Sequence, residues 1–220
     1  MQIGSIIDAR KEPFARVVEE VAAVILGGGT AIFPTDTVYA IGCDPYNVQA
    51  VHKLYAAKRR PAYKPLSLHL ATPTEFLEYV RDHSEAAAAG RRLFPGPVTI
   101  IVRRPSFIDK EVTSGFATLG FRVPDDALCS AILERCGPVA ATSANVSGSP
   151  AYRGSGDLSQ LPDADILIEN GATRYGTEST VIDFSGSEPV LLREGVIKAE
   201  QLSELLDPVF HHPVMLRKTT

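Results

Sequence analysis

The chain has little cysteine. Cys43, Cys129 and Cys136 are the three it carries in 220 residues, too few and too unevenly spaced for a disulfide framework, and none forms a C-x-x-C pair. Cys129 and Cys136 lie seven apart on one expected helix, so they share a face and read as small buried apolar residues. A secretory start is also missing: "MQIGSIIDARKEPF" has no basic opening, apolar run or small-residue cleavage site, and no apolar stretch approaches the length of a membrane span. These absences lead us to expect a cytoplasmic protein without a membrane partner. Asn145-Val146-Ser147 has the form of a glycosylation acceptor, which such a chain would not use. Neither the G-x-x-x-x-G-K-[ST] phosphate loop nor the G-x-G-x-x-G dinucleotide fingerprint occurs. A net charge of −4 excludes a surface that is basic all over, as a general nucleic-acid binder would be. One absence is local. From Pro45 to Thr74 there is no Asp or Glu, while Lys53, Lys58, Arg59, Arg60 and Lys64 all fall inside. That window sets up a field suited to an anion, although a solvated basic face or cations at a helix C-terminus would produce the same pattern.

With 45% hydrophobic residues the chain can bury one sizeable core. A single domain over 1–220 is expected, with its core from about 12 to 206 and a tail from 207 to 220. The tail histidines His211 and His212 read as part of a frayed or partly docked terminus rather than a metal pair. Helical periodicity predicts helices over 13–27, 47–58, 73–80, 84–94, 125–137 and 198–207. Short runs rich in β-branched residues predict strands at 30–34, 65–71, 97–104, 117–124, 138–143, 164–170, 179–185 and 189–195. Strands and helices alternate irregularly, which favours an α/β fold with a mixed sheet over a repeating parallel one.

Candidate chemistry collects at strand ends. Thr35, Asp36 and Thr37 follow the first predicted strand, His69 ends another, and Arg122 and Arg193 sit on two more. In open α/β sheets ligands gather at such places. Each residue also has a plainer reading: Asp36 closing a turn, His69 as a core histidine, the arginines pairing with surface carboxylates. The stretch "ATSANVSGSP" (141–150) breaks a core strand with hydroxyls and an amide able to contact phosphate or ribose, and Gly148 permits positive φ. No carboxylate dyad or nucleophile–base pair stands out.

Seven ordered stretches carry a resemblance: "FPTDTVYAIGCD" (33–44), "KRRPAYKPLSLHL" (58–70), "FPGPVTIIV" (94–102), "GFRVPDD" (120–126), "ATSANVSGSP", "ESTVIDF" (178–184) and "LLREG" (191–195). Together they resemble the YrdC-like family of threonylcarbamoyl-adenylate synthases, in family order and over residues 15 to 200. The resemblance implies a twisted mixed β-sheet flanked by helices, with a concave, positively charged cleft. It implies synthesis of threonylcarbamoyl-AMP and pyrophosphate from L-threonine, bicarbonate or CO2, and ATP, for N6-threonylcarbamoyladenosine in tRNA. Carried onto this chain, Lys58 and Arg60 are the catalytic pair and meet the ATP phosphates together with Lys64. Ser143, Asn145 and the backbone of Ala141 hold the nucleotide, helped by Thr118 and Arg193. Thr35, His69, Arg122 and Ser179 hold L-threonine, with Arg122 on its carboxylate. Mg²⁺ accompanies ATP, no metal-ligating residue is identified, and tRNA and a downstream threonylcarbamoyl transferase complex are implied partners.

Two positions depart from the family pattern: Ala151 stands where many relatives have Ser, and Arg193-Glu194-Gly195 where they have Arg-Pro-Gly. The chain has no room for the further C-terminal domain of longer members, so the short form is expected. Charge-assisted contacts contribute roughly 1.5–3 kcal/mol each, so loss of Lys58 or Arg60 is expected to cost about tenfold or more in rate. Two other readings remain open from the sequence: a non-catalytic module that grips tRNA or double-stranded RNA by shape and charge, and a paralogue that makes another carbamoyl-adenylate.

Overall fold

The computed structural model describes residues 2–60, 63–80 and 83–210, and the backbone of 217–218. In chain order the elements are β1 (Ile3–Asp8), α1 (Phe14–Leu26), β2 (Ala31–Phe33), β3 (Ala40–Cys43), α2 (Val48–Ala57), β4 (Ser67–His69), α3 (Pro73–Tyr79) and α4 (Ser84–Leu93). They continue with β5 (Val98–Arg103), β6 (Thr118–Arg122), α5 (Ala127–Cys136), β7 (Val139–Ser143), β8 (Ala164–Glu169), β9 (Thr180–Asp183), β10 (Val190–Arg193), α6 (Ala199–Phe210) and β11 (Arg217–Lys218). The strands form one twisted sheet in the order β1-β8-β2-β3-β7-β4-β6-β5-β9-β10-β11. Its direction is mixed: β8 runs parallel to β1 and β2, β4 to β6, and β5 to β9, whereas β3 and β7 are antiparallel to their neighbours.

Local sequence accounts for the helices. α1 starts after Pro13 and stops at glycines, Gly28 taking a left-handed φ of 82°, the usual signature of a helix end. Asn47, Thr72 and Asp126 each accept a backbone N–H from the first turn of α2, α3 and α5, which satisfies donors that the helix itself cannot.

Strand side chains point alternately to the two faces, and the cores follow that alternation. Ile32, Ile41, Ala140 and Leu167 belong to one cluster, while their chain neighbours Ala31, Phe33, Ala40, Val139, Ala141, Ile166 and Ile168 belong to the other. The second cluster is completed by α1 and α5 through Val17, Val21, Ile25, Cys129 and Ile132. The first extends across the sheet through Leu68, Ile100, Phe121 and Ile182 and is covered by residues of α2, α3, α4 and α6. On the face shared by Ala141 and α5, the half of the sheet built from β4, β6, β5 and β9 carries Ser67, His69, Thr99 and Arg122, and no helix among the described residues packs over it.

Three expectations need correcting. The core does not begin near residue 12, because β1 pairs along its length with β8, from Ile3 opposite Ala164 to Asp8 opposite Glu169. "AIGC" (Ala40–Cys43) forms β3, a strand missing from the expected set. The tail does not begin at 207: α6 continues through Pro208 to Phe210, and 217–218 pair with Val190 and Leu191. His211 and His212 lie outside the described residues. Cys129 is fully buried and Cys136 partly so, both as free thiols.

Candidate active site

The open half-face is the floor of a cleft of about 440 Å³. Its floor is written in every second residue along four strands: Ser67 and His69, Thr99 and Ile101, Gly120 and Arg122, and Ser179, just before β9, with Val181. Their alternates Leu68, Ile100, Phe121 and Ile182 are the core below. The strand register aligns Ser67 with Gly120 and His69 with Arg122. A Cβ on Gly120 would come within 3.1 Å of Thr99 Cγ2 and 3.4 Å of Ser67 Cβ, so glycine keeps the floor low.

Arg122 is the charged centre of the floor. Its guanidinium donates to Asp36, with side chains 6% and 0% exposed. Asp36 Oδ2, Arg122 Nε and His69 Nδ1 are buried without a hydrogen-bond partner among the described residues, a combination that collects at functional sites. Burial, reinforced by the Arg122 charge, pushes the His69 pKa down to about 3, so its imidazole is neutral at neutral pH. Ser179 Oγ lies 2.9 Å from Thr99 Oγ1.

The rim comes from loops and strand ends. Arg59 at the end of α2 takes a left-handed φ of 49°, and Arg60 then donates from Nε to Lys64 O at 2.8 Å and from Nη2 to Pro65 O at 2.8 Å. Arg193 reaches Ser179 O from Nε at 3.0 Å, Ser179 Oγ from Nη2 at 3.1 Å and Glu178 from Nη1 at 2.9 Å. Desolvation by the surrounding cleft lowers the pKa of both arginines, although the Arg193 side chain keeps contact with solvent; Tyr55 and Glu178 oppose the shift at Arg60, and Glu178 opposes it at Arg193. Lys58 is 1% exposed and directs its ammonium to Ser143 O, Asn145 O and Asn145 Oδ1. Burial, and then Arg60, pushes its pKa down to about 7.

The cleft therefore brings together Lys58, Arg60, Lys64, His69, Arg122, Ala141, Ser143, Asn145, Ser179 and Arg193. Two expected residues do not line it. Thr35 turns inward and donates to Val38 O at 2.7 Å, so it shapes the turn whose next residues, Thr37 and Val38, do face the cleft. Thr118 opens β6, paired with Arg103, and at about 3.3 Å per residue sits roughly 13 Å along the strand from Arg122. Sequence reasoning missed Glu178, the one carboxylate among the described residues of the lining. Its plainer readings set Asp36 in a turn and Arg122 against a surface carboxylate, its family reading set Arg122 on the threonine carboxylate, and neither set the two residues against each other. Alternation within β4, β5, β6 and β9 was the signal available for the floor. Of the two departures, Glu194 accepts the Ala199 N–H at 3.0 Å and so caps α6, and Ala151 lines an adjoining cavity with Glu178 and Arg153.

A family model described as telomere recombination, covering Sua5, YciO and YrdC, matches residues 23–195. The chain belongs to the Sua5/YciO/YrdC family. Threonylcarbamoyl-AMP synthase of Pyrococcus abyssi is 33% identical over 203 residues, covering 90% of this chain and 59% of that protein. A putative threonylcarbamoyl-AMP synthase of Methanocaldococcus jannaschii is 32% identical over 204 residues, covering 92% and 97%. The crystal structure of P. abyssi Sua5 complexed with L-threonine matches with a TM-score of 0.81 and 29% identity, over 100% of this chain and 63% of that one. This family member thus spans about three fifths of the P. abyssi protein it matches.

The lining does not supply a built Mg²⁺ site. Among the described residues no three His, Cys, Asp or Glu side chains gather to hold a metal, and Glu178 is committed to Arg193. Octahedral oxygen coordination would have to come from elsewhere. No helix among the described residues is long and apolar enough to cross a membrane.

Proposed function

We propose that this protein is a threonylcarbamoyl-AMP synthase that joins L-threonine, bicarbonate-derived CO2 and ATP. The observation that carries the reading is the cleft itself: a buried cation at Arg122, beside the neutral His69 and on the same floor as Ser179, shares one 440 Å³ space with a rim of Arg60, Lys64 and Arg193. The first set suits the carboxylate and hydroxyl of a small amino acid. The second suits a polyphosphate, because guanidinium groups bind phosphate oxygens through charge-assisted bonds. A similar protein having been crystallised with L-threonine supports the assignment of the floor.

Two bonds form in this reaction. The threonine amine loses a proton and adds to CO2, making a carbamate. A carbamate oxygen then attacks the α-phosphorus of ATP in line, the bond from that phosphorus to the β-phosphate bridging oxygen breaks, and pyrophosphate leaves. The chain's task is to hold two anions together against their repulsion and to align them, which is electrostatic stabilisation with positioning. Arg122 would fix the amino acid by its carboxylate, leaving the amine free. Arg60, Lys64 and Arg193 would offset the triphosphate charge. Mg²⁺ would enter with ATP, coordinated mainly by phosphate oxygens. The product would feed tRNA modification in the cytoplasm through a separate transferase, with tRNA contacting that transferase or this rim.

The purified protein with L-threonine, bicarbonate, ATP and Mg²⁺ is expected to give threonylcarbamoyl-AMP by mass spectrometry, with pyrophosphate in equal amount and no product when threonine is omitted. Failure to form the adenylate would sink the proposal. Calorimetry with L-threonine against L-serine separates it from a synthase that uses another substrate.

A further inference from the structure

Lys58 differs from every other cation of the cleft in how its donors are used. An ammonium has three N–H groups and no acceptor, and here three acceptors meet it: Ser143 O, Asn145 O at 2.8 Å and Asn145 Oδ1 at 3.1 Å. The backbone of the same residue is tied to the same loop, since the Ser147 N–H donates to Lys58 O at 2.9 Å. One residue at the end of α2 therefore grips both arms of a loop some 85 residues away in sequence.

The loop side chains are turned inward as well. Asn145 Oδ1 also accepts from Ser143 Oγ at 2.7 Å, and Asn145 Nδ2 donates to Val146 O at 3.1 Å and Ser149 O at 2.6 Å. Both amide donors of Asn145 are thus used, as is the hydroxyl proton of Ser143. A phosphate oxygen can only accept hydrogen bonds, and these side chains have committed the donors it would need. Arg60, Lys64 and Arg193 line the same cleft.

We propose that Lys58, Ser143 and Asn145 form a buried cross-link that shapes the nucleotide wall, with Lys58 acting as a positioning residue and not as a phosphate ligand. The inference rests on the ATP reading of this rim and changes which residues carry it. A cation enclosed by carbonyl oxygens fixes the loop relative to α2, because breaking the contact would leave a buried charge unpaired. Phosphate charge then falls to the three cations of the rim. The lowered pKa of Lys58 is consistent with an ammonium sequestered from solvent.

Two measurements test this. In the wild-type protein, ¹⁵N-lysine NMR at about pH 6, where the ammonium is charged, is expected to show the Lys58 signal with slow hydrogen exchange, unmoved by ATP without threonine or bicarbonate. Lys64 should shift in the same titration. A Lys58 signal that shifts with ATP and gains coupling to phosphorus would overturn the proposal. In Lys58→Met, amide exchange at Ser147 without ATP should speed up at least about tenfold, and ATP affinity should fall with threonine affinity changed less than twofold. Unchanged exchange at Ser147 together with lost ATP binding would also overturn it. The wild-type measurement stands if the variant fails to fold. A wild-type protein that binds no ATP would sink the synthase reading and leave the exchange of Ser147 as an independent test of the cross-link.

Discussion

On the floor of the cleft the Arg122–Asp36 pair is 6% and 0% exposed, and its arginine comes from a central strand; on the rim the Arg193–Glu178 pair is 43% and 42% exposed. The contrast is between a charge that the fold must keep paired and one that water can look after. A buried pair is weak evidence of net stabilisation, yet removing one partner strands a charge in a low-dielectric interior. An exposed pair is screened and contributes little. The floor is therefore where chemistry and folding share residues, and the rim is where binding can be tuned without unfolding the protein.

The comparison breaks most directly at Asp36. Asp36→Ala should lower stability by about 3–5 kcal/mol, read from the urea midpoint. A loss below about 1 kcal/mol would mean that the Arg122 charge is met in another way. Replacing both partners by apolar residues should recover much of the loss, at the expense of threonine binding. Next in size, Arg122→Lys keeps the charge but loses the fork, and L-threonine affinity by calorimetry should fall roughly tenfold to a hundredfold. ATP binding without threonine should stay within about threefold.

A pH measurement sharpens the floor further. The unfolded chain protonates His69 below its usual value of 6.5, whereas the native site resists until about 3. The unfolded state thus binds more protons in that window, so native stability falls as pH drops from 6.5 towards 3. Wild type should lose about 1–3 kcal/mol more than His69→Gln between pH 6 and pH 4. Equal losses would show that the ring is charged in the native state. On the rim, Arg60→Ala should weaken ATP binding about tenfold at low salt, less as salt is raised. The smallest effect is expected at Glu178→Gln, where stability should move by less than about 1 kcal/mol and ATP binding should hold or tighten. A marked loss of ATP binding there would give this carboxylate a direct role in the reaction.

Much of this arrangement was legible in the sequence. Helices α1, α2 and α5 showed themselves through periodic apolar residues with Pro13, Asn47 or Asp126 at the start, because those signals are local. The basic window around Lys58 and the hydroxyl-rich 141–150 stretch pointed to the rim for the same reason. β1 and β3 escaped: "IGSIID" is an edge strand whose partner lies some 160 residues on, and "AIGC" is buried on both faces and shows no alternation. The Asp36–Arg122 pair joins residues 86 apart, and no pattern within either segment announces it. The family resemblance supplied Thr35 and Thr118 without geometry. Only the hydrogen bond of Thr35 to Val38 O and the position of Thr118 at the start of β6 take them out of the lining.

The interleaving of floor and core has a consequence for folding errors. Leu68 stands beside His69, Phe121 beside Arg122 and Ile182 beside Val181, so a one-residue slip of a strand exchanges the two sets completely. A slipped β6 would drive a guanidinium into the apolar layer under the sheet and lift a phenylalanine into the cleft. Misregistered chains would thus be penalised in stability by the same residues that make the site work. Deleting a single residue inside β4, β6 or β9 should be far more damaging than inserting one in the connections between them.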